Sequence, residues 1–367
     1  MIQNLTIKNF KVHKSIEMKE LANVNILLGK NNSGKTAILE ALLFLSLPSS
    51  PHKVLMRLNE LRGYRTGEDS GEIWDSLFHN WDRSKEISIE ISETQDKSIV
   101  ISNKENMRRI LHIRSIIGEK DKSSNNIGII GTSDFMEVPK GLTFMFDLSD
   151  GKTLKREYRE MTNPMNISVI KKNDDLNLKR DQTIVFIPAR NIPNSESDAI
   201  SYSQLVVENR HDKVVNILRI LEPDLGRLFV AATKKGGVIY GDIGIDHPMP
   251  LPLMGDGILH VLSIASAMAN SQDGLVLIDE IENGLHYSVL TDVWKMIFQT
   301  SQKLNVQVFV ATHSDECIKA AYEAVESLKC YDSLKLYRFD RIKDGTRVED
   351  YTANELYSAI TSNQEVR

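Results

Sequence analysis

Gly29-Lys30-Asn31-Asn32-Ser33-Gly34-Lys35-Thr36 fills the pattern G-x-x-x-x-G-K-[ST] at every fixed position. Its flanks give the match mechanical meaning. Val24-Asn25-Ile26-Leu27-Leu28 before it reads as a short buried strand, and Ala37 to Leu45 after it reads as a helix. Between a strand and a helix, two glycines let the backbone wrap a phosphate, while successive N–H groups and the helix N-terminus supply partial positive charge. Lys35 then reaches the β and γ phosphates, and the Thr36 hydroxyl is placed to ligate Mg²⁺. Gly29, Asn31, Asn32, Ser33, Gly34, Lys35 and Thr36 are the expected nucleotide-binding residues, with ATP and Mg²⁺ as the ligands.

A P-loop needs a second half, and Leu275-Val276-Leu277-Ile278-Asp279-Glu280 supplies it. A buried strand ending in two carboxylates holds the first rigidly near a metal, and the second can orient or deprotonate an attacking water. Asp279 is the expected metal-shell residue beside Thr36, and Glu280 the expected base. A strand ending in Asp-Glu is by itself commonly a solvated strand end; the P-loop in the same chain gives it a role. A further strand, Val306 to Ala311, ends in Thr312-His313-Ser314. A histidine there lies at the ligand-binding edge of a parallel sheet, within reach of a γ-phosphate oxygen or the attacking water. The competing reading makes Ser314 a helix N-cap and His313 incidental. Lys35, Glu280 and His313 form the candidate catalytic set.

The rest of the chain supports an α/β protein. At 367 residues with 41% hydrophobic content it can build one large core or two, and its 26% charged residues are ordinary for a globular chain. A net charge of −5 argues against a whole-surface polyanion binder. Cys317 and Cys330 have no metal-ligand spacing and read as reduced thiols. Without a signal-peptide layout at Met1 to Ile7, and without an apolar run near the ~18 residues that span a bilayer, a cytoplasmic protein with no membrane contact is expected.

In order, residues 2–18 read as a hairpin, and residues 52–61 as a helix beyond Pro48 and Pro51. From about residue 86 the texture becomes β: Ile87–Ile91, Ile99–Ile101, Ile110–Ile113, Ile127–Ile130, Leu142–Phe146 and Ile167–Ile170 are short runs between Asn, Asp, Gly, Ser and Lys clusters. An antiparallel β-rich insertion over 86–180 follows, between an N-terminal part of the nucleotide-binding fold (1–85) and a C-terminal part (181–367). Thr183–Ile187 reads as a strand and Ser201–Leu221 as one amphipathic helix. The last third alternates helix (256–270), strand (274–279), helix (286–302), strand (306–311), helix (314–327) and a β ending near Leu334–Phe339, the mark of a parallel sheet. No heptad pattern persists, so long coiled-coil arms are not expected.

Taken together, Leu5-Thr6-Ile7-Lys8-Asn9-Phe10, the P-loop, Asp279-Glu280, Glu282-Asn283-Gly284-Leu285-His286 and Ala311-Thr312-His313-Ser314 resemble the ABC-type ATPase heads of the SMC, RecF and OLD families. The resemblance covers nearly the whole chain and is least specific in its β-rich middle. It implies an ATP sandwich, a homodimer in which the signature helix of one head closes over the γ-phosphate bound to the other. The matching stretch here is Leu253-Met254-Gly255-Asp256-Gly257, opening the helix to Ala269, with Gly255 and Gly257 as the expected phosphate contacts. Gly255 stands where many relatives place serine. Gln95, Gln182 and Gln204 are open as the Q-loop residue, and Arg190 is either near the nucleotide or on the surface. OLD-type nucleases continue into a Toprim domain, for which no room follows Thr352, so any cleavage is expected from a separate effector protein in a prokaryotic defence or genome-maintenance system. The alternative is a nucleotide-gated scaffold that sequesters and releases an effector with little turnover.

Basic groups recur at Lys104, Arg108, Arg109 and Arg114, at Lys152, Lys155, Arg156 and Arg159, and at Lys171, Lys172, Lys179 and Arg180. They would suit DNA phosphates, or they form a solvated face of mixed charge. Trp74, Phe78 and Trp81 form either an aromatic surface or one helix face in the core. His286 and Trp294 are expected in helix packing beside the Asp279-Glu280 strand.

Overall fold

The apolar run before the P-loop becomes an interior strand of a six-stranded sheet. The computed structural model describes residues 1–45, 51–61, 74–94, 106–116, 141–147, 153–159, 168–170, 183–189, 195–234, 236–343 and 345–361. The chain opens with an antiparallel hairpin, β1 (Ile2–Phe10) and β2 (His13–Met18). Then come β3 (Val24–Leu28), α1 (Lys35–Phe44) and α2 (Pro51–Leu61). The β-rich middle supplies β4 (Ile87–Thr94), β5 (Asn106–Ile116), β6 (Gly141–Asp147), β7 (Thr153–Arg159) and β8 (Ser168–Ile170). These strands do not make a sheet of their own. β4 pairs with β1, so a single antiparallel sheet runs β2-β1-β4-β5-β6-β7-β8.

Next come β9 (Ile184–Ile187), α3 (Ser195–Val207), α4 (His211–Leu218) and a small sheet of β10 (Arg227–Thr233), β11 (Gly236–Asp242) and β12 (Met249–Pro250). The chain continues through α5 (Asp256–Asn270), β13 (Leu275–Asp279), α6 (Tyr287–Leu304), β14 (Gln307–Thr312) and α7 (Asp315–Leu328). It then runs through β15 (Leu334–Ile342), β16 (Gly345–Thr352) and α8 (Ala353–Thr361). The second large sheet has the order β16-β15-β3-β14-β13-β9, parallel except for β16.

Period-2 alternation sorts the parallel sheet's side chains into two cores. Leu275 and Leu277 of β13 and Phe309 and Ala311 of β14 face a core shared with α1 and the antiparallel sheet. Val276, Ile278, Val308 and Val310 face a core built with α5, α6 and α7. Burial on both faces is why these strands read as continuous apolar runs. It also explains α1, which lies between two sheets and is buried all round except at Thr36. The sheets are stitched at Gln307, whose Oε1 accepts from Ile2 N at 2.8 Å while its Nε2 donates to Ile2 O at 2.8 Å.

Several expectations need correction. Residues 201–221 are not one helix: α3 ends at Val207, Asn209 turns left-handed at φ 55°, and Arg210 N closes the turn on Leu205 O at 2.8 Å. Trp74, Phe78 and Trp81 do not share a helix face. Trp74 and Phe78 are buried, while Trp81, beyond left-handed Asn80, is 59% exposed. The runs at 99–101 and 127–130 lie outside the described residues. Among those residues no helix is long and apolar enough to cross a membrane, and both cysteines are free thiols.

Candidate nucleotide site

Strand register assembles the site. Leu28 of β3 pairs with Thr312 of β14, and Asp279 of β13 pairs with Ala311, so the three neighbouring strands end level. The P-loop, His313 and Glu280 therefore leave one sheet edge side by side. With strands about 4.8 Å apart, β3 and β13 stand about 10 Å from each other. One hydrogen bond spans that gap: Thr36 Oγ1 donates to Asp279 Oδ2 at 2.9 Å.

The P-loop shape depends on its glycines. A Cβ at Gly29 would meet Phe339 O and Ser33 Oγ, each at 2.6 Å. Gly34 has φ 98°, and its Cβ would overlap the His13 ring. Asn32 is also left-handed at φ 64°, which asparagine tolerates. Lys35 Nζ donates to Gly29 O at 2.6 Å and Lys30 O at 3.1 Å, curled over its own loop. Ser33 Oγ is buried with no hydrogen-bond partner among the described residues. His13 underpins the turn, with Nε2 3.0 Å from Gly34 O and Nδ1 3.1 Å from Thr346 Oγ1. Because a carbonyl only accepts, Nε2 carries the proton. Burial lowers the His13 pKa below 6.5, so the ring is neutral and Nδ1 accepts from Thr346.

Asp279 is 6% exposed. Burial pushes its pKa up to about 6 against the lowering hydrogen bond from Thr36; the Glu280 charge raises it further and the Lys35 charge opposes. A buried carboxylate beside a hydroxyl, with a cation and phosphate-wrapping backbone nearby, is a hard-oxygen donor set that fits Mg²⁺. Glu280 follows at φ 52°, and its Oε2 accepts from Asn283 Nδ2 at 2.9 Å, an amide that also donates to Ala189 O at 2.8 Å. His313 stands at the end of β14, and Ser314 caps α7 by accepting from Cys317 N at 3.2 Å, so the helix cap of the competing reading is present. Glu282 Oε1 accepts from Thr312 Oγ1 at 2.8 Å and His313 N at 3.1 Å, and lies 3.1 Å from His313 Nδ1. Sequence reasoning did not place His13, Glu282 or Asn283 in the site. Glu282 and Asn283 stood in a quoted motif, but only strand register shows what they touch.

The signature-like stretch is divided. Gly255 starts α5 at φ 114° with open space around it. Gly257 is packed against the turn after Glu280, where a Cβ would overlap Gly284 O. Around them Leu253 is 73% exposed and Tyr287 68%, with Asp256, Gly284 and His286 exposed as well. His286 is thus a surface N-cap of α6 rather than a packing residue, while Trp294 is fully buried. The first basic group is internally balanced: Arg108, Arg109 and Arg114 are ion-paired with Glu90, Glu93 and Glu86. Gln204 is exposed on α3 and donates to Glu208 Oε1 at 3.3 Å. Gln95, Gln182, Lys104, Lys152, Lys171, Lys172, Lys179, Arg180 and Arg190 lie outside the described residues.

Residues 68–318 match a family model described as "AAA domain, putative AbiEii toxin, Type IV TA system". The chain belongs to that AAA-domain family. The matched span begins beyond the P-loop and includes β13, Glu282 and His313. This AAA-domain protein is 26% identical over 387 residues to a Helicobacter pylori protein named ATP/GTP phosphatase, covering 97% of this chain and 99% of that one. A 49-residue stretch is 45% identical to the DNA replication and repair protein RecF of Lactobacillus acidophilus, 13% of each chain. A crystal structure of an SMC head bound to the C-winged helix domain of ScpA superposes with TM-score 0.53 and 14% identity over 98% of this chain and 99% of that one. The fold of the AAA-domain protein is that of an SMC-type P-loop ATPase head.

Proposed function

We propose that this chain binds and hydrolyses ATP with Mg²⁺, and that two copies close on the nucleotides through the face carrying Leu253, Gly255, Asp256 and Tyr287. The observation that carries the reading is the level ending of β3, β14 and β13, with Thr36 and Asp279 joined across it. In this reading Lys35 exchanges its loop carbonyls for β- and γ-phosphate oxygens. Thr36 and Asp279 hold Mg²⁺, which when bound neutralises developing charge on the phosphates. Glu280, its carboxylate fixed by Asn283, orients and deprotonates the attacking water, and His313 faces the γ-phosphate side. The exposed Gly255 at the start of α5, with the helix N-terminus behind it, suits the phosphate of a partner head. The family description and the RecF likeness support a cycle serving a DNA-directed defence or maintenance system through a separate effector; direct DNA contact has no support from Arg108, Arg109 and Arg114.

The test is ATP hydrolysis by purified protein. Lys35→Ala should lose nucleotide binding, and Glu280→Gln should bind ATP without turnover. Normal turnover by Glu280→Gln would refute the assignment of the base. Light scattering of Glu280→Gln should show ATP-dependent doubling of mass that Leu253→Asp abolishes, and an unchanged mass with ATP would end the sandwich model.

A further inference from the structure

Glu282 lies two residues beyond the proposed base, in the turn that carries Glu280 away from β13. It points across to β14, where Oε1 accepts from Thr312 Oγ1 at 2.8 Å and His313 N at 3.1 Å and lies within ion-pair distance of His313 Nδ1, 3.1 Å away, without hydrogen-bond alignment. The first two are donors, so Oε1 is an acceptor with its direction already set. A negative oxygen at ion-pair distance from one ring nitrogen repels a lone pair there and attracts a proton, so its field favours the tautomer with the proton on that nitrogen.

We propose, on the ATPase reading above, that Glu282 is a positioning residue: it holds His313 as the Nδ1–H tautomer and leaves Nε2 as a lone-pair acceptor for the nucleotide site. In that form His313 accepts a hydrogen bond from the attacking water instead of donating one to a phosphate oxygen. The two roles open to a histidine at this strand end are separated by which nitrogen carries the proton, and Glu282 decides it. The arrangement also divides the labour of the turn. Asn283 fixes Glu280 while Glu282 fixes His313, so the two groups facing the water are set from one four-residue segment.

The test reads the tautomer directly, in ¹⁵N-histidine-labelled full-length protein, with His313 assigned by its loss in His313→Ala. Wild type should show a protonated Nδ1 and an unprotonated Nε2. Glu282→Ala should move the proton to Nε2 or mix the two forms, whereas Glu282→Gln, which retains Oε1, should keep the wild-type pattern. In turnover, Glu282→Ala should lower kcat about tenfold with little change in KM, the usual scale for a group that orients another, and Glu282→Gln should recover most of it. Glu282→Ala/His313→Ala should be no slower than His313→Ala alone. If Glu282→Ala does not fold, Glu282→Asp, one methylene shorter, withdraws the carboxylate from Nδ1 and should give the same spectral change. An unchanged tautomer, or losses that multiply in the double variant, overturns the proposal. A wild type that hydrolyses no ATP would overturn the ATPase reading instead, with the spectrum still deciding the role of Glu282.

Discussion

Replacing Asp279 by Asn should make the nucleotide-free protein more stable. Burial raises this carboxyl from 3.8 to about 6, roughly two decades of proton affinity, and at about 1.4 kcal/mol per decade the charged form costs the fold about 3 kcal/mol. Asn carries no charge, and its Oδ1 can still accept from Thr36. A group whose folded pKa is raised contributes stability that is present in full below 3.8 and lost as pH rises through about 6. The advantage of Asp279→Asn should therefore be complete at pH 8, amount to several degrees in melting temperature and vanish near pH 4. Mg²⁺ with ATP should reverse the order at pH 8, because only the carboxylate gains from the metal. Calorimetry across that pH range, with and without Mg²⁺-ATP, measures both effects. A variant that is folded but no more stable than wild type at pH 8, or that keeps its advantage at pH 4, would show that Asp279 is not strained by burial.

Two further perturbations address the walls of the site. Gly257→Ala sets a Cβ against a backbone carbonyl that cannot yield, so it should cost on the order of 1–3 kcal/mol in denaturant unfolding; an unchanged midpoint would mean that α5 and the turn at Gly284 are not tightly packed. His13, kept neutral by burial with Gly34 O and Thr346 Oγ1 on its nitrogens and His79 adding a lowering charge, contributes stability present above 6.5 and lost as pH falls. Melting temperature should therefore drop from pH 7 to pH 5 more steeply in wild type than in His13→Gln, and equal slopes would remove His13 as the cause.

What could be read from the sequence was local. The P-loop, the strand into Asp279 and the helix at 256–270 each announce themselves within a dozen residues, and each was read where it stands. Regularity failed where one residue turned the chain, as at left-handed Asn209 between α3 and α4. β7, Thr-Leu-Lys-Arg-Glu-Tyr-Arg, lacks an apolar stripe and was read only as a basic group. β10 and β11 are half-exposed and went unread. Pairing of β4 with β1 could not be read at all, since 77 residues separate groups that touch, such as Asn9 Nδ2 and Glu86 O. Glu282 fails for the same reason, because its partner dipeptide becomes its neighbour only through strand order. Gly257 carries a requirement that its motif did not reveal: the neighbouring Gly284 backbone leaves no room for a Cβ.

The order β15-β3-β14 has a consequence for synthesis. The strand that carries the P-loop emerges early from the ribosome, but both of its neighbours come from the last third of the chain, and Ile2 finds its partner 305 residues later at Gln307. Such long-range pairing makes folding slow. A nascent chain that has not yet released residue 279 carries the P-loop and the start of α1 beside an unpaired β3, without the carboxylates or histidine of the candidate site. Topology thereby delays completion of the candidate site until late in synthesis, and the exposed edges of β3 over that interval are surface that a chaperone would recognise.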